Sequence, residues 1–186
     1  MRRKEFFKTA ALGCLACGGM LLPAEAEGRS QSDAQTSEAE AKAREHAKRF
    51  KQAYLLALME NMEKQLDENT RRALMESCGR ACARRGGLLK TAEACRGDVQ
   101  KFVAAFAKLV GPELAFVEGE TVHWGYPRCF CELVADGPER LPETYCRCSV
   151  GWVKEMFETV MGKPVRVDLV QSVKSGASSC RFLIHI

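Results

Sequence analysis

Val165-Arg166-Val167-Asp168-Leu169 and, beyond a turn at Lys174 to Ser178, Cys180-Arg181-Phe182-Leu183-Ile184-His185-Ile186 alternate between two sets of side chains with a period of two. Successive side chains of an extended chain point to opposite faces, so this pattern predicts a C-terminal β-hairpin with Cys180 on its buried side. Just upstream the period changes. Val153, Met156, Phe157 and Val160 share one helical face, with Ser149 as the expected cap and Gly162 as the expected stop. Further back, Leu114 to Val117 and Thr121 to Tyr126 read as a second hairpin joined at Glu118-Gly119. Cys129 to Val134 reads as another strand, followed by a proline-marked loop over Asp136 to Thr144.

The front of the chain is helical in pattern. Phe50, Tyr54, Leu58 and Met62 recur at four-residue spacing within 38–66 and predict a core-facing stripe. Asp67 is placed to cap a second helix running to about Arg85, with Leu74, Cys78, Ala81 and Cys82 on one face. Asp98 is placed to cap a third, whose stripe is Val99, Phe102, Val103, Phe106, Leu109 and Val110, with Gly111-Pro112 as its stop. The expected fold class is therefore α+β: a helical N-terminal half packed on a small antiparallel sheet, with one further helix before the C-terminal hairpin. No internal repeat or glycine-rich phosphate loop interrupts this reading.

Composition narrows the function. The 186 residues carry 28 basic and 24 acidic side chains and 46% apolar residues, which suits an ordinary globular chain. Beyond residue 26 the net charge falls to +2, leaving no electrostatic case for a nucleic-acid partner. Residues 1–26 read as an export signal: Arg2, Arg3, Lys4 and Lys8, then a soft apolar stretch from Thr9 to Leu22, then Pro23-Ala24-Glu25-Ala26 as the cleavage site. The stretch is too short for a stable membrane anchor. Arg3-Lys4-Glu5-Phe6-Phe7-Lys8 resembles the twin-arginine signal with Lys4 in the second arginine's place, so the twin-arginine export machinery is an expected partner and the periplasm or extracellular face the expected location. Lipidation at Cys14 or Cys17 is the competing reading of this segment. Residues 27–37 are polar and small and are expected to be a flexible linker. Residues 38–186 are expected to form one domain, helical over 38–111 and cysteine-rich over 112–186.

Eight of the ten cysteines lie beyond the signal. Cys78 and Cys82 stand one helical turn apart, with Cys95 thirteen residues on, close enough for a loop to bring it back as a third metal ligand. Cys129-x-Cys131 and Cys146-x-Cys148 flank a loop, and in extended chain each pair would present both sulfurs to one centre. Soft thiolates select zinc, copper(I) or iron–sulfur clusters over hard cations. Cys148, read as the residue just before a helix, would have its thiol pKa lowered by the amide dipoles, which suits a ligand or a nucleophile. Export unfolded into an oxidising space would instead pair the eight thiols as four disulfides.

From Tyr145 to Ile186, the run Cys146-Arg147-Cys148-Ser149-Val150-Gly151-Trp152, then Phe157, Gly162-Lys163-Pro164-Val165-Arg166-Val167, Ser172, Gly176 and Cys180-Arg181-Phe182-Leu183-Ile184 resembles the closing half of the 4-vinyl reductase-type domain. Related endings occur in L-2-amino-thiazoline-4-carboxylic acid hydrolases. The resemblance implies an α+β fold whose sheet and helices enclose a small-ligand pocket beside a structural zinc, with Cys146 and Cys180 among the zinc ligands. A third family cysteine falls at Ser172, and Cys129, Cys131 or Cys148 is inferred to replace it. The span from Cys78 onward also resembles an uncharacterised group of exported bacterial proteins.

Other chemistry is sparse. His46 falls on a charged helical face and His185 on the outward side of the last strand. His123 stands beside Trp124, and Trp124, Tyr126 and Phe130 are expected to line an aromatic pocket with Arg128 at its edge. Two functions follow. One is an exported small-ligand-binding or sensor domain with cysteine-held zinc, or an iron–sulfur cluster. The other is a small thiol-dependent hydrolase with Cys148 as nucleophile, His123 as base, and Arg128 or Arg147 holding the carboxylate of a small acid.

Overall fold

The computed structural model describes residues 26–134, 137 and 141–186. Residues 1–25 of the expected export signal, and part of the loop expected after Val134, lie outside the described residues. Two compact units divide the chain at residues 43 and 44, and helix α1 (Ala26–Gln65) runs through both. In the first unit, Lys42 pairs with Glu38 one turn away at 2.6 Å. Residues 27–37 are helical, where their composition predicts a linker. They hold one glycine and no proline, and extending a helix already formed costs far less than nucleating one.

In the second unit α1 is followed by α2 (Glu68–Ala83), α3 (Leu88–Ala94), α4 (Val99–Val110), the hairpin β1 (Ala115–Glu118) and β2 (Thr121–Tyr126), α5 (Glu143–Met161), β3 (Arg166–Gln171), a short 3-10 turn (Val173–Ser175) and β4 (Cys180–His185). The strands form one antiparallel sheet in the order β1-β2-β4-β3. The α+β class read from the two periodicities is the one observed. Among the described residues no helix is long and apolar enough to cross a membrane.

Local signals act where the sequence places them. Asp67 accepts the Thr70 N–H at 3.0 Å and Asp98 the Lys101 N–H at 2.9 Å, each satisfying a donor that the first helical turn leaves free. Gly162 ends α5 in the left-handed region at φ 67°. Between β1 and β2, Gly119 makes the turn at φ 59°.

Which face is buried is a different matter. Phe50 and Tyr54, expected in the core, are each 66% exposed, and Leu58 is exposed with them; of that stripe only Met62 is buried. The buried side of α1 is Met59 and Met62, flanked by the half-buried Leu55 and Leu66. On α2 the expected stripe of Leu74, Cys78, Ala81 and Cys82 is exposed, while Met75, Gly79 and Ala83 are buried. The reason lies in α5. A side-chain carbon added to Gly79 would fall on the Cys148 carbonyl and 2.9 Å from the Trp152 nitrogen, and one added to Gly151 would fall on the Glu76 carbonyl. The two helix backbones touch, and only small residues permit that approach. Arg80 reinforces it with a fork on Glu158 (2.7 and 2.9 Å) and a bond to Glu155 (3.1 Å), while Lys154 meets Glu76 at 2.6 Å.

Two readings of the cysteine-rich part are corrected. Cys129 to Val134 forms turns and irregular chain rather than a strand. Helix α5 begins at Glu143 after Pro142, not at Ser149. Proline suits a helix entrance because its fixed φ is already helical and its missing N–H has no partner to lose there, and Glu143 adds a favourable charge in the first turn.

Candidate functional site

The aromatic interior lies between α4, α5 and the inner face of the sheet. Val122, Trp124 and Tyr126 alternate inward along β2, and the register sets Trp124 beside Phe182 and Tyr126 beside Cys180 on β4. Trp124 is 0% exposed. Phe106 stacks on its ring at a centroid distance of 3.7 Å, Phe102 stacks at 5.3 Å, and Phe157 meets it edge-on at 5.0 Å. Its indole N–H is buried and has no hydrogen-bond partner among the described residues. Leaving such a donor unpaired costs about 1–3 kcal/mol. Tyr126 is buried beside it, and burial holds its phenol well above the usual range, while Ser149 hydrogen-bonds to it.

The thiols collect at the end of this interior nearest the start of α5. Cys129, Cys131 and Cys148 pack against a second core containing Met59, Met75, Val134, Tyr145 and Cys146. Cys131 Sγ lies 3.1 Å from the Tyr145 hydroxyl. Ser172 is hydrogen-bonded to Cys146, and the Val173 N–H donates to Cys180 Sγ at 3.4 Å. Ser172 caps the 3-10 turn that precedes β4, and the same turn holds Cys180 through the Val173 N–H. Cys129, Cys131, Cys146 and Cys148 belong to one core while Cys180 belongs to the other, and α5 rather than a strand carries Cys146 and Cys148. Residues two apart on a helix point nearly oppositely, so Cys146 and Cys148 do not face one point as they would on a strand.

Electrostatics also departs from expectation. Cys148 lies inside α5 and not before it, and burial, helped by Cys131, Cys146 and Cys82, pushes its thiol up to about 12 instead of lowering it. Burial likewise takes Cys180 to about 11 and raises Cys146. These are protonated thiols at neutral pH.

The remaining candidates separate. Cys95 ends α3 inside the first core, whereas Cys78 and Cys82 stand exposed on α2. His123 points to the outer face of β2, where it stacks on Phe116 (4.3 Å) and pairs with Glu118 (3.1 Å). Cys148 belongs to the inner side, so the structure does not bring it together with His123. Arg128 lies over the exposed Phe130 ring at 5.1 Å, and Phe130 in turn touches Tyr126. Arg147 pairs with Glu143 at 3.0 Å. His46 is exposed on α1, and His185 pairs with Asp168 at 2.8 Å. Sequence reading missed Tyr145 and the backbone contact of Gly79 with Cys148. Neither leaves a linear signal, because each depends on how two distant segments cross.

A zinc ion or iron–sulfur cluster needs about four donors aimed at one point. The donor chemistry here suits a soft ion, but among the described residues no three Cys, His, Asp or Glu side chains are placed to hold one.

Residues 25–186 match the model of a family of unknown function, DUF6144. No curated protein matches the chain. Among solved structures, a crystal structure of the phenol-responsive sensory domain of the transcription activator PoxR with phenol resembles it at 18% identity and a TM-score of 0.44, over 72% of this chain and 73% of that one.

Proposed function

We propose that this chain, which belongs to the DUF6144 family, is a small-ligand-binding domain of the sensor type, whose ligand is a flat, largely apolar molecule carrying a hydrogen-bond acceptor. The observation that carries this reading is the unpaired Trp124 N–H at the centre of Phe102, Phe106 and Phe157. A ligand that inserts there gains apolar contact from the rings and gives the indole its acceptor. The domain does this work outside the cytoplasm, delivered by the twin-arginine machinery; the basic start, soft apolar stretch and Ala24-Glu25-Ala26 ending of the first 26 residues support that location.

Acetophenone and ethylbenzene test the reading by titration calorimetry, since they share a shape and differ in the acceptor. Acetophenone is expected to bind about tenfold more tightly, the worth of one hydrogen bond. Trp124→Phe is expected to keep or slightly raise stability, because it removes an unsatisfied donor, and to abolish the difference between the two. Saturable binding of neither compound, or the same preference in the variant, would sink the proposal.

A second reading, a zinc-holding domain, is favoured by the gathering of Cys129, Cys131, Cys146, Cys148 and Cys180, with an iron–sulfur cluster as its variant. Holding an ion there requires the sulfurs to turn toward a shared point. Elemental analysis of protein purified reduced and without air is expected to show stoichiometric zinc, lost in Cys146→Ser. Metal-free protein of unchanged stability would remove this reading.

A further inference from the structure

Within the second unit, helix α1 carries apolar side chains on two sides, and its own domain covers one of them. At about 100° per residue, the covered side of Met59, Met62, Leu55 and Leu66 lies roughly 120° around the helix from a second row. That row is Ala47, Phe50, Tyr54, Ala57 and Leu58, continued by Asn61, and every one of these residues is exposed. Ala47, Phe50, Tyr54, Ala57 and Asn61 follow one another at steps of three, four, three and four residues, the heptad spacing by which one helix seats on another. The alanines leave holes beside the two rings, into which large side chains of a facing helix fit.

Charge identifies what the row meets. Residues 44–51 carry Arg44, Lys48, Arg49 and Lys51 against Glu45, a net +3, while residues 57–64 carry Glu60 and Glu63 against Lys64, a net −1. Residues 52–56 between them are uncharged. We propose that this row is a self-association surface, on which α1 of a second copy of the chain lies antiparallel. Antiparallel pairing sets the +3 end of each helix against the −1 end of the other, at both ends at once, whereas parallel pairing would set +3 against +3. Phe50 of each copy then packs against Ala57 and Leu58 of the other, with Tyr54 near the two-fold axis. The same patch serves both copies, so the contact closes as a dimer and leaves no surface to propagate. An anionic membrane would attract the basic end and repel Glu60 and Glu63, so a second copy suits the whole row better. The surface uses neither the Trp124 interior nor any cysteine, and is independent of ligand and metal.

Analytical ultracentrifugation of the reduced full chain over a dilution series tests this. A reversible monomer–dimer equilibrium is expected. Phe50→Glu is expected to weaken it by about tenfold or more, and Leu109→Glu, which charges an exposed apolar residue on α4, to leave it unchanged. Orientation is read from a charge swap at exposed positions. Arg49→Glu with Lys51→Glu turns residues 44–51 from +3 to −1. Antiparallel helices then face −1 with −1 at both ends and dissociate about tenfold more readily, while parallel helices would be relieved of repulsion and bind more tightly. Adding Glu60→Lys, which makes residues 57–64 +1, is expected to recover part of the loss. A monomer at every concentration, including one that floats with phosphatidylglycerol vesicles, would overturn the proposal. So would an unchanged equilibrium in Phe50→Glu, an equal loss in Leu109→Glu, or tighter association of the charge-swapped chain.

Discussion

Gly151→Ala is expected to lower the melting temperature by about 10 °C, the consequence of roughly 3 kcal/mol of lost stability in a domain of this size. The added methyl would overlap the Glu76 carbonyl, and backbone cannot swing aside as the end of a flexible side chain can. The α2 and α5 helices would have to separate along their whole contact, stretching the Arg80 fork on Glu158 and the Lys154–Glu76 pair. Gly79→Ala, which overlaps the Cys148 carbonyl from the opposite helix, is expected to cost a similar amount. Gly87→Ala is the comparison: its φ of −65° suits any residue and no atom lies within 4 Å of the added carbon, so a change within about 0.5 kcal/mol is expected. Differential scanning calorimetry of the three variants measures this directly. Equal melting temperatures for Gly151→Ala and the unmodified chain would mean that the helices are not in backbone contact.

Alkaline pH is expected to destabilise the domain well before its arginines titrate. Three thiols sit with folded-state values above the ordinary 9.0, about 12 for Cys148, about 11 for Cys180, and raised for Cys146. Burial is the first cause in each. Above pH 9 the unfolded chain releases these protons while the folded chain retains them, so stability is present in full below pH 9 and is lost as pH rises through the folded values. Buried Tyr126 and Tyr145, both raised by desolvation, add to the loss above their ordinary 10.0. By pH 11 the combined loss is expected to be on the order of a few kcal/mol. Urea unfolding between pH 7 and 11, under reductant and argon, follows it. Cys148→Ala should flatten the alkaline limb, and a stability that stays level to pH 11 would contradict the burial of these thiols.

The helix caps at Asp67 and Asp98, the left-handed stop at Gly162, the hairpin turn at Gly119 and the alternation that buries Cys180 were all determined by the sequence alone. Each is a local matter: a side chain satisfying an N–H three residues away, a φ that only glycine adopts freely, or a period of two along one strand. Tertiary structure alone decided which apolar stripe of α1 and α2 turned inward. Both helices offer two such stripes, and the choice fell to the pair of glycines that lets α2 lie on α5. The same packing decided the chemistry of the cysteines. Cys146 and Cys148 are carried on a helix entered at Pro142, so burial and not the helix dipole governs their protons.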